Sequence, residues 1–412
     1  MGEATTIAPL HRNRDFNILW AGDTVSGIGS AMSALVFPLI GYAITGSTVR
    51  AGLATTAVFV GAIIARLPAG AITDRLSRSR VLLVSNVLAA LAFGSLAVAA
   101  ALDALTLAHL IAVGLITGAT DAFIGPAASA SVRTVVPQEQ LPIAYTRLQA
   151  RQHAADLVGP PLGGVLFSLA RALPFVVDAI SYAIYAAATT LLRTPLPAPD
   201  GPRRTLRKDV VEGLRFVWQH TVIRSIMLWA GIANFAWAYV FVTITLRLIR
   251  AGVHPAAIGL VDTIGAAAGL LGAALAPALV RRMPSGLLTI VTGLVFAVLV
   301  VPMAATTNVF VIGTLFALVT LLLPANNSGI SAYLSTATPD RLQARMHSAA
   351  GFIANGLSPL APALAGIFIG TLGGSTAVLI GAAVSAASLV PLLVTREVRT
   401  LGRPATWQTT NT

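Results

Sequence analysis

The sequence predicts an all-α membrane fold: twelve transmembrane helices arranged as two pseudo-symmetric bundles of six. Three observations predict it. Of the 412 residues, 56% are hydrophobic and only 10% are charged, against about 25% charged in a soluble domain. Apolar runs recur along nearly the whole chain, and a run of about 18 or more residues is long enough to cross a bilayer as a helix. The 36 glycines and 23 prolines are scattered inside those runs, which transmembrane helices tolerate because neighbouring helices re-satisfy the freed backbone groups.

Taken in order, hydropathy and turn signals place the first six spans at 17–44, 51–73, 80–101, 105–130, 144–170 and 173–193. The second six fall at 221–247, 255–280, 285–305, 308–332, 346–370 and 374–395. His109, Arg147, Arg151 and Asp262 dilute the starts of the fourth, fifth and eighth. The N-terminus lacks the short apolar core and small-residue cleavage site of a removed signal peptide, so the first run reads as an uncleaved membrane helix. Arginines crowd one set of loops (Arg12 and Arg14, Arg78 and Arg80, Arg133, Arg203 to Arg207, Arg281 and Arg282, Arg396 to Arg403). The opposite set holds only Arg50, Arg171, Arg247 and Arg250. By the positive-inside rule the first set is cytosolic. Both termini are then cytosolic in a plasma (inner) membrane protein, which requires an even number of helices.

The longest polar segment, "RTPLPAPDGPRRTLRKDVVEGLRFVWQH", falls mid-chain. Its proline-rich start reads as linker. Its end spaces Leu206, Val210, Leu214 and Val217 three or four apart, as in an amphipathic helix lying on the inner membrane surface. The expected organisation is therefore an N-terminal bundle over 1–193, a cytosolic linker with an amphipathic helix over 194–219, and a C-terminal bundle over 220–412. The halves also resemble each other. A shift of roughly 202 residues brings Thr134 onto Thr336, Pro137 onto Pro339, Pro160 onto Pro362 and Gly164 onto Gly366, as in transporters duplicated from a six-helix unit.

Composition excludes several activities. The net charge of +12 resides in short loops, with no basic tract interleaved with aromatics, so nucleic acid is not an expected partner. There is no cysteine, which removes disulfides, thiolate metal sites and cysteine nucleophiles. The single lysine, Lys208 in "TLRKDV", lacks the glycine of a phosphate loop. His11, His109, His153, His220, His254 and His347 form no metal-ligand spacing. No enzyme activity, cofactor or metal is expected.

The stretch "GAITDRLSRSR", residues 70–80, puts four charges between two oily segments. Topology explains the arginines but not Asp74, since acids add little to orientation. Gly70, Asp74, Arg75, Arg78 and Arg80 resemble the loop signature of the Major Facilitator Superfamily, with Ser77 where that family usually has glycine. "GPPLGG", Gly159 to Gly164 with Pro160 and Gly163 inside it, resembles the motif of the superfamily's antiporter branch, and Asp156 stands one turn before it. "RNRDFNILWAGDTVSGIGS", "PFVVDAISYAIYA" and "VVEGLRFVWQH" are similar to the drug and siderophore exporters, the group of macrolide efflux proteins and the enterobactin exporter. That group often has an acid where this chain has Ser30. The resemblance implies the major facilitator fold, working as a monomer. It also implies that Asp74 clamps the outward-open state against the positive end of a helix near the start of the eleventh span.

An ionisable group inside a membrane costs about 2.5–3.5 kcal/mol on insertion scales, so each needs a reason. Asp23 lies about 10 Å past Phe16 and Arg66 about 12 Å before Asp74, at 1.5 Å per residue, with Asp121 in the same cytosolic half. Two readings stand. Asp23 and Arg66 form a structural ion pair, or Asp23 or Asp121 carries a proton with Arg66 setting its charge state; Asp121 is the first choice. Asp156 reads as a packing or gating residue, Asp262 as a partner of Arg247, and Asp178 as a cap or loop contact.

In the family the resemblance names, helices one, four, seven and ten line the cavity. Here they offer Trp20, Phe37, Phe123, Trp229, Asn234, Phe235, Trp237, Phe241, Phe316, Asn326 and Asn327. Aromatics with a few amides suit a bulky, mostly apolar ligand; the alternative is that part of the set faces lipid. The expected function is proton-driven export of a hydrophobic or amphipathic small molecule across the lipid bilayer, with proton-coupled uptake as the alternative and a non-transporting membrane protein as the more remote one.

Overall fold

The computed structural model describes residues 9–73, 76–197, 206–339 and 342–404. Those residues form helices joined by short turns and loops, with no strand among them. The first half holds α1 (Arg14–Thr45), α2 (Thr48–Thr73), α3 (Arg78–Ala101), α4 (Leu107–Val135), α5 (Leu141–Leu169) and α6 (Leu173–Thr190). A separate helix, α7 (Leu206–Gln219), follows. The second half begins with α8 (Thr221–Arg250), α9 (Pro255–Arg282) and α10 (Ser285–Met303). Its later spans are broken into pairs: α11 (Val309–Thr320) with α12 (Leu323–Ala337), α13 (Gln343–Asn355) with α14 (Leu360–Leu372), and α15 (Gly374–Ser388) with α16 (Val390–Val394); a short α17 (Arg396–Arg399) ends the described chain.

Among the described residues, eleven segments are long and apolar enough to cross a bilayer. The twelfth is α5, which has 29 residues but carries Arg147, Arg151, His153 and Asp156 between its second and fifth turns. The expected twelve-helix architecture therefore holds, and the one span that fails on composition is the one that supplies charge to the interior.

Helix ends follow local chemistry. Asn13 Oδ1 accepts from the Phe16 amide at 3.0 Å, and its Nδ2 donates to the Val135 carbonyl at 2.7 Å, so one side chain caps α1 and ties it to the end of α4. Asn308 caps α11 by accepting from the amides of Phe310 and Val311. The turn between α1 and α2 needs φ +63° at Gly46, a conformation that favours glycine.

The chain divides into two compact units, Met1–Val36 with Ala57–Pro202, and Phe37–Thr56 with Arg203–Thr412. In the first, α3 illustrates the membrane pattern. Val84, Leu88, Leu91 and Val98 form an exposed stripe, Leu91 at 67%, while the buried side holds Ser85, Asn86, Ala89 and Phe93. Aliphatic side chains form the outward stripe, and the inward side takes small and polar residues together with Phe93. In the second unit, Thr48 Oγ1 donates to the Gly366 carbonyl at 3.0 Å. A Cβ on Gly52 or Gly366 would run into the backbone of Pro362 or Thr48, so glycine is required at this crossing.

The repeat read from sequence persists in the elements. Shifting α5 by the same 202 residues lands on the start of α13 and the end of α14 to within a residue. Pro160 and Pro362 are both buried inside those helices.

α7 forms as an amphipathic helix; part of its apolar side packs on protein, while Val211 and Trp218 stay exposed. Phe216 and Val217 are buried with Ile223, Met227, Leu342 and Met346. Gly213 lies against the Arg345 carbonyl with no room for a Cβ, and Glu212 pairs with Arg345. Protein packing against α13 offers this part of the apolar face the burial that lipid would otherwise supply. The side chains of Leu206 and Val210 lie outside the described residues.

Candidate functional site

Each unit contains a cavity. The one in the first unit has a volume of about 490 Å³ and is walled by Trp20 and Asp23 of α1, Gly125, Ala128 and Ser129 of α4, Tyr145, Gln149 and Arg151 of α5, and Tyr185 of α6. An ion pair crosses it. Arg151 Nη2 lies 3.0 Å from Asp23 Oδ2, with side-chain exposures of 10% and 19%, and Arg151 Nη1 donates to the Asp23 carbonyl at 2.5 Å. Gly27, one turn further along α1, leaves space for that guanidinium; a Cβ there would press on Nη1. Arg151 Nε and the Tyr185 hydroxyl are buried without a hydrogen-bond partner among the described residues.

This corrects the expected pairing. Asp23 takes Arg151 from α5, not Arg66 from α2, which is exposed. Depth along each helix was legible, but the partner depends on which way each helix is turned. Arg151 had registered in the sequence only as a charge diluting a hydrophobic span.

Asp121 belongs to a separate cluster. Its Oδ1 accepts from the Tyr182 hydroxyl at 3.3 Å, and that hydroxyl is hydrogen-bonded to Ser30 Oγ at 2.9 Å. Tyr182 is only 2% exposed and stacks on Phe93 with ring centroids 5.7 Å apart. Asp121 itself is exposed. It stands one helical turn before Gly125 and two before Ala128, both on the cavity wall, so it shares the face of α4 that turns to the cavity. Ser30, which replaces the acid common in the resembling group, thus reaches Asp121 through Tyr182. Asp178 is neither a cap nor a loop contact: it lies in the second turn of α6, fully buried.

The glycine-rich motif of α5 acts by close approach. A Cβ on Gly159 or Gly163 would collide with Ala31 and Met32 of α1, so the pair lets α5 lie directly on α1. Asp156 accepts from Gln152 Nε2 at 3.0 Å. In the charged loop, Asp74 and Arg75 lie outside the described residues. Gly70 ends up in the last turn of α2, and Arg80 is exposed. Arg78 donates to Thr134 Oγ1 at 2.5 Å and to the Ala130 carbonyl at 3.3 Å, joining the start of α3 to the end of α4.

The second unit's cavity has a volume of about 470 Å³ and no charged residue in its wall. Trp229, Asn234, Trp237, Asn326 and Asn327, all expected from sequence, line it together with Phe296, Val319, Ile330 and Leu334. Trp237 packs against Phe296 at 5.4 Å and edge-on to Phe316 at 5.6 Å, so Phe316 supports the wall from behind. Asn234 Nδ2 is taken by the Ala354 carbonyl at 3.0 Å. Asn326 is 1% exposed, and its amide oxygen and nitrogen, like Trp229 Nε1, have no partner among the described residues. Trp20 lines the other cavity. Phe37, Phe123, Phe235 and Phe241 belong to neither wall; Phe235 stacks on Tyr239 and Phe37 is a core residue. Arg247 donates to the carbonyls of Met303 and Ala304, at 2.6 and 2.9 Å. Among the described residues, no three His, Asp or Glu side chains are grouped to hold a metal ion.

Comparison with known proteins agrees with this architecture. A family model described as Major Facilitator Superfamily matches residues 19–360. The multidrug efflux pump Tap of Mycolicibacterium fortuitum is 26% identical over 366 residues, 85% of this chain and 87% of that protein. The enterobactin exporter EntS of Citrobacter koseri is 25% identical over 231 residues, 54% of this chain and 53% of the exporter. Among solved structures, an inward-facing bacterial homologue of the iron transporter ferroportin aligns with a TM-score of 0.70 at 16% identity, over 92% of this chain and 98% of that one. The nucleoside transporter NupG aligns at 0.71 and 13% identity, with the same coverage. At these identities the solved structures speak to the fold alone.

Proposed function

The chain belongs to the Major Facilitator Superfamily, and on that premise we propose that this multi-pass membrane transporter exports a hydrophobic or amphipathic small molecule in exchange for protons. The observation that carries the proposal is the difference in chemistry between the two cavities. The second unit offers an uncharged aromatic and amide wall around about 470 Å³, within the 300–1,000 Å³ typical of small-molecule sites. The first unit offers ionisable side chains around about 490 Å³. Substrate recognition is assigned to the former and proton coupling to the latter. The likeness to a multidrug efflux pump and an enterobactin exporter supports the outward direction.

Asp121 is the proposed proton carrier. It is the acid on the cavity-facing side of α4 with a neutral partner, Tyr182, so gain of a proton breaks no ion pair. Asp23 is held by Arg151 and serves to keep α1 and α5 in register. Alternating access, cytosolic termini, a plasma-membrane location and a clamp formed by Gly70, Asp74, Arg75, Arg78 and Arg80 complete the reading. The test is proton flux in proteoliposomes, driven by a panel of antibiotics, dyes and siderophores. The wild type should move protons with at least one of them, and Asp121→Asn should reduce that flux to background while still inserting. No flux with any compound, or normal flux in the variant, would overturn the proposal.

A further inference from the structure

The "PFVVDAISYAIYA" stretch places a second acid where the function above does not use it. Asp178 is 0% exposed on α6. Its Oδ1 accepts from Ser181 Oγ at 3.1 Å, and Ser33 of α1 is hydrogen-bonded to its Oδ2. Gly29 of α1 lies directly over it: a methyl group there would collide with the carboxyl oxygen and with Ser181 Oγ. Two helices are therefore shaped around this carboxyl group, one by having no side chain and both by supplying a serine.

No cation faces it among the described residues. From α4 it meets Asp121, close enough for the two charges to interact, and from its own helix Tyr182. On α1 the nearest ionisable residue is Asp23, six positions from Gly29 and already paired with Arg151. On α5 the nearest is Asp156, held by Gln152. From α3 comes Phe93, that helix's only charges, Arg78 and Arg80, being in its first turn. A buried carboxylate without a counter-ion is too costly to keep and neutralises instead. Serine hydroxyls both donate and accept, so Ser33 and Ser181 satisfy the carboxyl group with or without its proton. Beside them run Asp121, Tyr182 and Ser30 in hydrogen-bonded sequence, and Ser30 is one turn from Ser33 on α1.

We propose that Asp178, cradled by Gly29, Ser33 and Ser181, is an occluded proton-binding site that works in series with Asp121 at the cavity. It rests on the antiport reading above: the proton that Asp121 gives up at the cavity is the one Asp178 takes up, so the transfer leaves the pair's proton count unchanged.

The test is infrared difference spectroscopy of the full chain in lipid nanodiscs, which needs no substrate. The wild type should show a protonated-carboxyl band that fades as pH rises. Asp178→Asn should lose the component of that band that Asp178 contributes, and Asp121→Asn should retain that component. Ser33→Ala, which keeps the acid, should displace both the frequency and the pH midpoint; it serves if the asparagine variant does not fold. An identical band in the wild type and Asp178→Asn, no shift in Ser33→Ala, or a band that responds to sodium at fixed pH instead of to pH would overturn the site. A band behaving as expected in a protein without substrate-driven proton flux would keep the site and end antiport; flux without the band would do the reverse.

Discussion

The two cavities stand in halves related by a shift of roughly 202 residues, yet their chemistry differs. By that shift Arg151 corresponds to Ile353 and Asp121 to Leu323. The first unit thus keeps ionisable groups at places where the second has aliphatic ones. In the first cavity, buried charge is compensated by another charge. In the second, the polar groups are neutral amides and an indole, and both walls hold buried polar atoms without a partner among the described residues. Duplication supplied one scaffold, and divergence at a few inward positions separated a site suited to protons from one suited to apolar surface.

Breaking the ion pair should have the largest effect. Arg151→Met leaves Asp23 buried and unpaired, a loss of about 3–5 kcal/mol when one partner of a buried pair is removed. Thermal unfolding in detergent should show a marked drop in Tm, largely recovered in the double variant Asp23→Asn, Arg151→Met. No recovery would mean the pair is not the reason for the loss. In the second unit the sign should reverse. Asn326→Leu removes a buried amide with two unsatisfied atoms, whose desolvation costs about 1–3 kcal/mol, so stability should hold or rise while substrate affinity, measured by tryptophan quenching, falls. A fall in both would equate the two cavities and remove the contrast. The smallest effect is expected at Glu212 and Arg345, an exposed pair. Glu212→Gln should change stability by less than about 1 kcal/mol, and salt should erase the difference.

Much of this was legible along the chain. Spans, the mid-chain linker helix and the 202-residue repeat all come from short-range signals, and five residues expected at the cavity of the second unit line it. Arg151, Tyr182, Tyr185 and the serines around Asp178 were not legible as site residues. Arg151 weakened a hydrophobic span, and Ser30, Ser33 and Ser181 are of a type common in transmembrane packing.

The sequence by itself determined which segments cross the membrane, because that follows from the local cost of putting each residue in hydrocarbon, summed over about 20 positions. It also determined that several acids lie within those segments. Only the tertiary structure decided their partners: Asp23 with Arg151, Asp121 with Tyr182, Asp178 with two serines. Partner choice depends on the rotation of each helix about its axis and on which helices touch, and both are set by packing between helices 61 to 145 residues apart in the chain.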